Sequence, residues 1–343
     1  MEKLNIDKVA KLAHVSRSVV SRVLNDHPNV SDVARQRVME VVNKYNYKPN
    51  SLARSLATNS SHEIGVLVTQ SSDEALGSAF WTQIHRGIFE ECTKRGYFVS
   101  LSYVSGNKKD DLYKFIMEER RLDGYILLTQ EVTDLVGRMM FDKKIPIVLV
   151  GHVPRRKKVS SVDVDNYKGG ELATQHLINL GHKKIGIILA SLDMKESKDR
   201  LSGYQQVLKK AGLEVNDDYI KVADYQFKAG HNTMQDWIGS NSDITAVFCA
   251  SDTIAMGAIL AATEQGKSVP GDFSIVGFDD LSFAEYTHPP LTTIRQPIFE
   301  KGKKAAELLI DEIEDEVAER VKINLEPILV VRESCGALKE TIP

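Results

Sequence analysis

Cysteine is scarce in this chain: three in 343 residues, Cys92, Cys249 and Cys335, with no C-x-x-C pair and no histidine at metal-ligand spacing. So few and so scattered, they exclude a disulfide framework or a zinc module and read as buried free thiols in a reducing compartment. Long apolar runs are also missing. None reaches the roughly 18 residues of a membrane span, because Ser251 and Asp252 interrupt the best one. The N-terminus is polar, without an apolar signal core, so a cytoplasmic protein with no membrane role is expected.

Catalytic signatures are absent as well. Gly266-Lys267-Ser268 imitates the end of a phosphate loop, but Ala261 holds the position of the required earlier glycine. No G-x-G-x-x-G follows a strand. His152, His176, His182 and His231 share no metal spacing, and His182 in Gly-His-Lys-Lys suits a turn before a strand. No Ser/His/Asp set is readable. The expectation is a non-enzyme without metal or cofactor.

Net charge is only −3, and it is unevenly placed. Residues 1–60 hold ten basic and five acidic side chains, a net +5 that leaves −8 for the remainder. A basic head on an acidic body confines phosphate attraction to one end. The composition, 42% hydrophobic and 27% charged, is that of a globular protein, and the length suits two or three units.

The basic head carries a helix-turn-helix pattern. Asn5 is placed to cap a helix from Ile6, with Val9, Ala10 and Ala13 inward. Ser16 caps a second helix with Val20 and Val23 on its buried side, and Ser31 a third through Val38, Val41 and Val42. Arg17, Ser18 and Arg22 then face outward on the second helix, where N-terminal residues reach base edges and arginine pairs with guanine. Ser21 and Asn25 suit phosphate contacts. Asn50, after Pro49, can cap a helix of two turns from Ser51 to Ala57, too short to be stable alone in water. Its order is expected to depend on DNA and on a second copy beside it.

Beyond the polar linker Thr58-Asn59-Ser60-Ser61-His62, short apolar runs alternate with amphipathic helical stretches. Ile64-Val68, Phe98-Val104, Gly124-Leu128, Ile145-Val150, Ile185-Ala190, Ala246-Ala250 and Ser274-Gly277 read as buried strands. Trp81-Arg95, Gly169-Leu180, Arg200-Lys210, Ala229-Trp237 and Thr253-Gln265 read as helices between them. This alternation predicts parallel sheets covered on both faces, in two similar subdomains with a ligand between them.

Residues 1–58 resemble the head of the LacI/GalR family of bacterial transcription regulators in Asp7-Lys8-Val9-Ala10, Val20-Ser21-Arg22-Val23-Leu24-Asn25, Asn29-Val30-Ser31 and Tyr47-Lys48-Pro49-Asn50. The remainder resembles the same family and the periplasmic sugar-binding fold. Its matching stretches are Val162-Asp163-Val164-Asp165-Asn166, Leu180-Gly181-His182-Lys183-Lys184-Ile185, Arg200-Leu201-Ser202-Gly203-Tyr204, Gly277-Phe278-Asp279-Asp280 and Pro289-Pro290-Leu291-Thr292-Thr293-Ile294. The resemblance implies an α/β protein: a three-helix helix-turn-helix head plus hinge helix, then a periplasmic-binding-protein-like body of two doubly wound parallel-sheet subdomains. The expected boundaries are 1–46 for the DNA-binding domain, 47–60 for the hinge and linker, and 61–343 for effector binding and dimerisation. Within the body, one subdomain is expected at about 61–160 plus 293–322, the other at about 161–292 plus 323–340.

By the same resemblance Arg17 and Ser18 occupy variable specificity positions and Arg22 a common base-reading one. Leu56 matches a residue that wedges between bases at the operator centre, and Ala53 keeps paired hinge helices close. Arg200 matches an effector-gripping arginine and Asp279 a hydroxyl-accepting carboxylate. Ser251 stands where asparagine commonly precedes aspartate. Phe80 and Trp81 fall near an aromatic pair of the family, although its preceding Asn-Pro is absent and the loop from Thr69 to Ala79 is longer. Phe227 is a further cleft-edge candidate. Two departures touch the head: His14 replaces a turn glycine, and Val19 a threonine. The implied partners are double-stranded operator DNA of near-palindromic sequence, a second copy of the chain or a higher homo-oligomer, and a small effector, with a carbohydrate favoured. Three alternatives stand beside this reading: a sugar-binding protein without a DNA role, a sugar-modifying enzyme, and a regulator controlled by a protein co-repressor.

Overall fold

The structure is a computed structural model that describes residues 4–24, 27–47, 60–68, 77–103, 122–128, 145–153, 159–314 and 320–338. Asn25, Asn50, Ala53, Leu56, the expected hinge helix and most of the loop after Thr69 lie outside these residues. The chain divides between His62 and Glu63 into two compact units.

Among its described residues the first unit forms three short helices, α1 (Ile6–Leu12), α2 (Arg17–Leu24) and α3 (Asp32–Lys44). Their apolar positions recur at helical spacing and meet in one core of Val9, Ala10, Ala13, Val20, Val23 and Val38. Each helix start is satisfied as the sequence predicts. Asn5 Oδ1 accepts the Lys8 N–H at 2.9 Å, Ser16 Oγ the Val19 N–H at 3.3 Å, and Ser31 Oγ the Ala34 N–H at 3.4 Å. The α1–α2 turn places His14 at φ +53°, so histidine does occupy the left-handed conformation that favours glycine.

The described residues of the second unit form two six-stranded sheets. The first contains β1 (Glu63–Val68), β2 (Phe98–Tyr103), β3 (Gly124–Leu128), β4 (Ile147–Val150), β5 (Ser160–Val164) and β11 (Lys322–Leu325), in the order β11-β5-β4-β3-β1-β2. The second contains β6 (Ile185–Leu189), β7 (Ile220–Val222), β8 (Ala246–Cys249), β9 (Ser274–Asp279), β10 (Thr292–Arg295) and β12 (Ile328–Val330), in the order β12-β10-β9-β8-β6-β7. Strands β3, β4, β6, β8 and β9 are buried at every residue, which is why they read as unbroken apolar runs. All pairings are parallel except β10 with β12, so the second sheet is mixed at its edge rather than wholly parallel.

Among the described residues the α-helices of this unit are α4 (Ala79–Lys94), α5 (Asn166–Asn179), α6 (Lys195–Lys210), α7 (Phe227–Gly239), α8 (Asp252–Glu264) and α9 (Ile298–Ile313). The chain passes between sheets after β5, β10 and β11. Strands β5, β10 and β11 are short and carry no apolar run to mark them; with β7, β12 and α9 they are not among the elements predicted from the sequence.

Three helix pairs pack so closely that only glycine fits at the crossing. A methyl group at Gly87 or Gly302 would overlap a carbonyl oxygen across α4 and α9; Gly170 and Gly203 have the same relation across α5 and α6, and Gly230 and Gly257 across α7 and α8. Cys92 and Cys249 are buried as expected, whereas Cys335 is half-buried, with its Sγ 3.2 Å from the Ile275 carbonyl. His182 is buried after the Gly181 turn and bridges the Thr245 and Ser274 hydroxyls, each at 2.9 Å.

Candidate functional site

On the first unit, α2 turns Val20 and Val23 into the core and leaves Arg17, Ser18 and Arg22 exposed on the opposite face, with Ser21 half-buried at its edge. Arg17 Nη1 lies 3.9 Å from Asp7 Oδ1, both side chains more than half exposed, a screened pair of little strength that leaves the guanidinium free to engage DNA. The Ser18 hydroxyl is 2.8 Å from that of Ser16, and Arg22 Nε donates to the Ser18 carbonyl at 3.4 Å. Arg22 is thereby steered along the helix and remains exposed. The arrangement is a row of hydrogen-bond donors on one face of a helix that follows a tight turn.

In the second unit the strand order reverses at β1/β3 in the first sheet and at β6/β8 in the second. Ligands of such sheets bind outside the carboxyl ends of the strands at these points. Two stretches leave the carboxyl ends of β8 and β9: Ala250-Ser251-Asp252 and Asp279-Asp280-Leu281. Arg200, on α6, reaches the same place. It is buried, stacks its guanidinium 3.7 Å from the Phe278 ring centroid, donates through Nε to Asn166 Oδ1 at 2.9 Å, and donates through Nη1 to the Ala250 carbonyl. Asn166 in turn donates to the Val164 carbonyl at 3.1 Å, so Arg200 is fastened to the passage between the two sheets.

Asp279 and Asp280 both have positive φ, +118° and +58°. For residues other than glycine this stores strain of about 1–3 kcal/mol each and persists only when neighbours enforce it. Here three successive residues are pinned. Asp279 Oδ1 accepts from Gln296 Nε2 at 2.5 Å. Asp280 accepts from Arg295 Nε at 2.5 Å and from Arg332 Nη2 at 2.7 Å. The Leu281 N–H donates to Asp252 Oδ2 at 2.7 Å, while Asp252 Oδ1 accepts from the Thr293 hydroxyl at 2.5 Å. Leu281 and Phe283 then pack into the core of the first sheet. Of the two adjacent aspartates, Asp280 is consumed by its two arginines and Asp279 is the one beside Arg200.

Sequence reasoning missed several groups around this cleft. Lys301, on α9, is buried and donates to Asp163 Oδ1 at 3.1 Å. Glu196 sits one turn before Arg200; burial pushes its carboxyl up, and Arg200 and Lys301 pull it back. Tyr225 lies beside Arg200, Ser197, Glu196 and Asp279, and burial pushes its phenol up to about 12. Asp163 stands in a quoted motif, but nothing in the sequence marked Lys301, one of several charged residues on an unpredicted helix.

The remaining predicted residues fall as follows. The Ser251 hydroxyl caps α8 by accepting the Ile254 N–H at 3.2 Å. Phe80 and Trp81 are half-buried in an edge-to-face pair, centroids 5.2 Å apart, packed on the first-sheet core at the start of α4. Phe227 opens α7 and stacks on His231 at 6.2 Å, and Tyr225, two residues earlier, has its phenol within reach of the Arg200 charge. Among the described residues no cluster of His, Cys, Asp or Glu could hold a metal ion, and no helix is long and apolar enough to cross a membrane.

Burial raises the Asp279 carboxyl to about 6, against the pull of Arg200, Gln296 and Lys301, and the nearby Asp252 carboxyl well above its usual range. A folded-state pKa above the unfolded value means that the folded chain binds the extra proton, so this contribution to stability is full at low pH and is lost as pH rises through about 6. Asp279→Asn should therefore gain stability relative to the parent, by on the order of 1 kcal/mol, between pH 4.5 and pH 7.5. Paired thermal melts across that range check it; parallel curves would show that Asp279 ionises freely.

A three-helix head with an arginine-bearing outward helix, joined to a two-sheet body with a polar cleft, defines a DNA-binding protein that answers to a small ligand. Residues 5–50 match the description of bacterial regulatory proteins of the lacI family, and residues 174–335 that of a periplasmic binding protein-like domain. The chain is 34% identical to the HTH-type transcriptional repressor PurR of Aliivibrio salmonicida, over 97% of this chain and 99% of that one. Among solved structures, it matches a complex of the transcriptional regulator CelR with cellobiose at TM-score 0.74 and 32% identity, covering 96% and 99% of the two chains. It matches a lac repressor dimer bound to operator and the anti-inducer ONPF at TM-score 0.85 and 26% identity, covering 98% and 100%. The chain belongs to the lacI family of bacterial regulatory proteins. It is a DNA-binding transcription regulator.

Proposed function

We propose that this regulator represses transcription as a homodimer on a near-palindromic operator, and that a carbohydrate bound between its two sheets sets its affinity for that operator. Arg17, Ser18 and Arg22 read base edges, Ser21 and Asn25 hold phosphates, and Asn50, Ala53 and Leu56 supply the cap, close contact and wedge of a hinge helix. The protein acts in the cytoplasm, where its operator lies, and by binding without turnover, in keeping with the regulators it resembles. One observation carries the effector reading: Arg200 is fixed between Phe278 and Asn166, next to the strained Asp279. Fixed donors, carboxylate acceptors and an aromatic face are what a polyhydroxyl ligand requires. The relative solved with cellobiose supports the same class.

The ligand can shift the DNA-binding equilibrium only by as much as its affinities for the two states differ. The test is a melting screen of sugars on the purified protein, followed by a mobility-shift assay with operator DNA. A stabilising sugar that releases DNA is an inducer; one that tightens DNA binding is a co-repressor. A stabilising sugar with no effect on DNA would refute the coupling.

A further inference from the structure

We propose that Asp7 is a positioning residue for DNA reading: it turns the Arg17 guanidinium toward a guanine edge and away from the phosphates. This rests on the base-reading role of Arg17 given above and extends it to a residue outside the reading helix. Asp7 lies in the first turn of α1, and Arg17 is the first residue of α2. The turn between the two helices brings Asp7 Oδ1 to 3.9 Å from Arg17 Nη1, with both side chains more than half exposed. Tyr47 stands close to both. Burial raises its phenol, the Asp7 carboxylate adds to that rise, and the Arg17 guanidinium opposes it. A carboxylate, a guanidinium and a phenol from three separate segments thus meet where α2 begins.

From Asn5 to Leu24, Asp7 is the single acid beside four basic side chains, Lys8, Lys11, Arg17 and Arg22. An acid in a first turn favours the positive end of its helix, and that role needs no neighbour on α2. Arg17 adds a second role. The N-terminal residues of a reading helix approach the base edges, so a carboxylate beside Arg17 enters a field of phosphates that repels it. It is tolerated there when it meets donors, and the guanidinium offers them. Arginine carries five N–H donors in one plane. Two of them engage guanine O6 and N7, which leaves an Nη hydrogen for Asp7. Held at both edges, the plane is fixed. The pair is weak while water screens it and strengthens as the groove excludes water. The same carboxylate opposes the turning of Arg17 toward a phosphate. It therefore lowers affinity for unrelated DNA while it sharpens the preference for the operator.

Selection of the full chain on a randomised duplex library, with sequencing of the bound fraction, tests the proposal. Arg17→Ala is expected to erase a guanine preference at one position of each half-site. Asp7→Asn keeps the side-chain shape and should weaken the preference at that same position by about three- to tenfold, while affinity for random duplex rises. The double variant should lose no more there than Arg17→Ala alone, because the two residues act as one unit. If Asp7→Asn leaves that position unchanged, the proposal is overturned and Asp7 is a helix-start charge, seen only as a lower melting temperature. A preference altered at a different position also overturns it, since Asp7 then reads a cytosine amino group directly. If Arg17→Ala itself leaves every preference intact, the base-reading role of Arg17 fails and this extension falls with it.

Discussion

Replacing Arg22 with alanine is expected to abolish operator discrimination while leaving the head folded. Arg22 is exposed, contributes nothing to the core of Val9, Val20, Val23 and Val38, and makes one weak bond, 3.4 Å from its Nε to the Ser18 carbonyl. On the proposed role in base reading, its removal takes away a contact with DNA and little else. A bidentate arginine–guanine pair contributes about 1–3 kcal/mol of discrimination. A dimer loses it in both half-sites, so operator affinity should fall by roughly 30-fold to 10⁴-fold if the two losses add. Binding to unrelated DNA loses only a phosphate-attracting charge and should change far less. Anisotropy titrations of operator and random duplexes at one salt concentration measure both. An unchanged ratio between them would remove Arg22 from base reading.

The second large effect is expected inside the body. Gly170→Val should destabilise this unit by about 3–5 kcal/mol, because even the first carbon of the new side chain meets the Arg200 carbonyl across the α5–α6 crossing. That obstacle is backbone and cannot rotate away, and Gly203 makes the reciprocal approach to the Tyr167 carbonyl. The helices must move apart, which carries Arg200 away from Asn166 and Phe278. Lost stability and lost ligand response should thus appear together. Gly239→Ala is the matched control, since a carbon added at Gly239, the last residue of α7, meets nothing within 4 Å. It should be neutral or slightly stabilising. Denaturant unfolding of both variants checks the pair, and a Gly170→Val protein as stable as its parent would show that the crossing can relax.

Much of the architecture was legible because the apolar periods are strong. The caps at Asn5, Ser16 and Ser31 and the runs at Ile64, Gly124, Ile185, Ala246 and Ser274 declare themselves through side-chain hydrogen bonding and through burial on both faces of a sheet. Elements without such a signature escaped. Strands β5, β10 and β11 are only four or five residues long, too short to mark a period, whereas α9 does repeat apolar residues at helical spacing, from Ile298 through Ala305 to Leu309, a signal that its density of charge masks. They are nonetheless the segments that pass between the sheets and bring Asp163, Gln296 and Lys301 to the cleft.

The same division runs through the site. Motif and spacing were enough to identify the outward row Arg17, Ser18 and Arg22, because a short helix with a known buried side has only one other face. Arg200 and Asp279 were marked only by the resemblance to the family. Neither showed that Asp280 is held by Arg295 and Arg332, or that Ser251 is occupied as a helix cap. By itself the sequence determined the local elements, the charge asymmetry and the family, all of which depend on residues near one another in the chain. Only the tertiary structure decided which carboxyls share the cleft and which cations are already paired. Those partners lie up to 138 positions apart, as Lys301 and Asp163 do, and no local pattern encodes a contact between residues so distant.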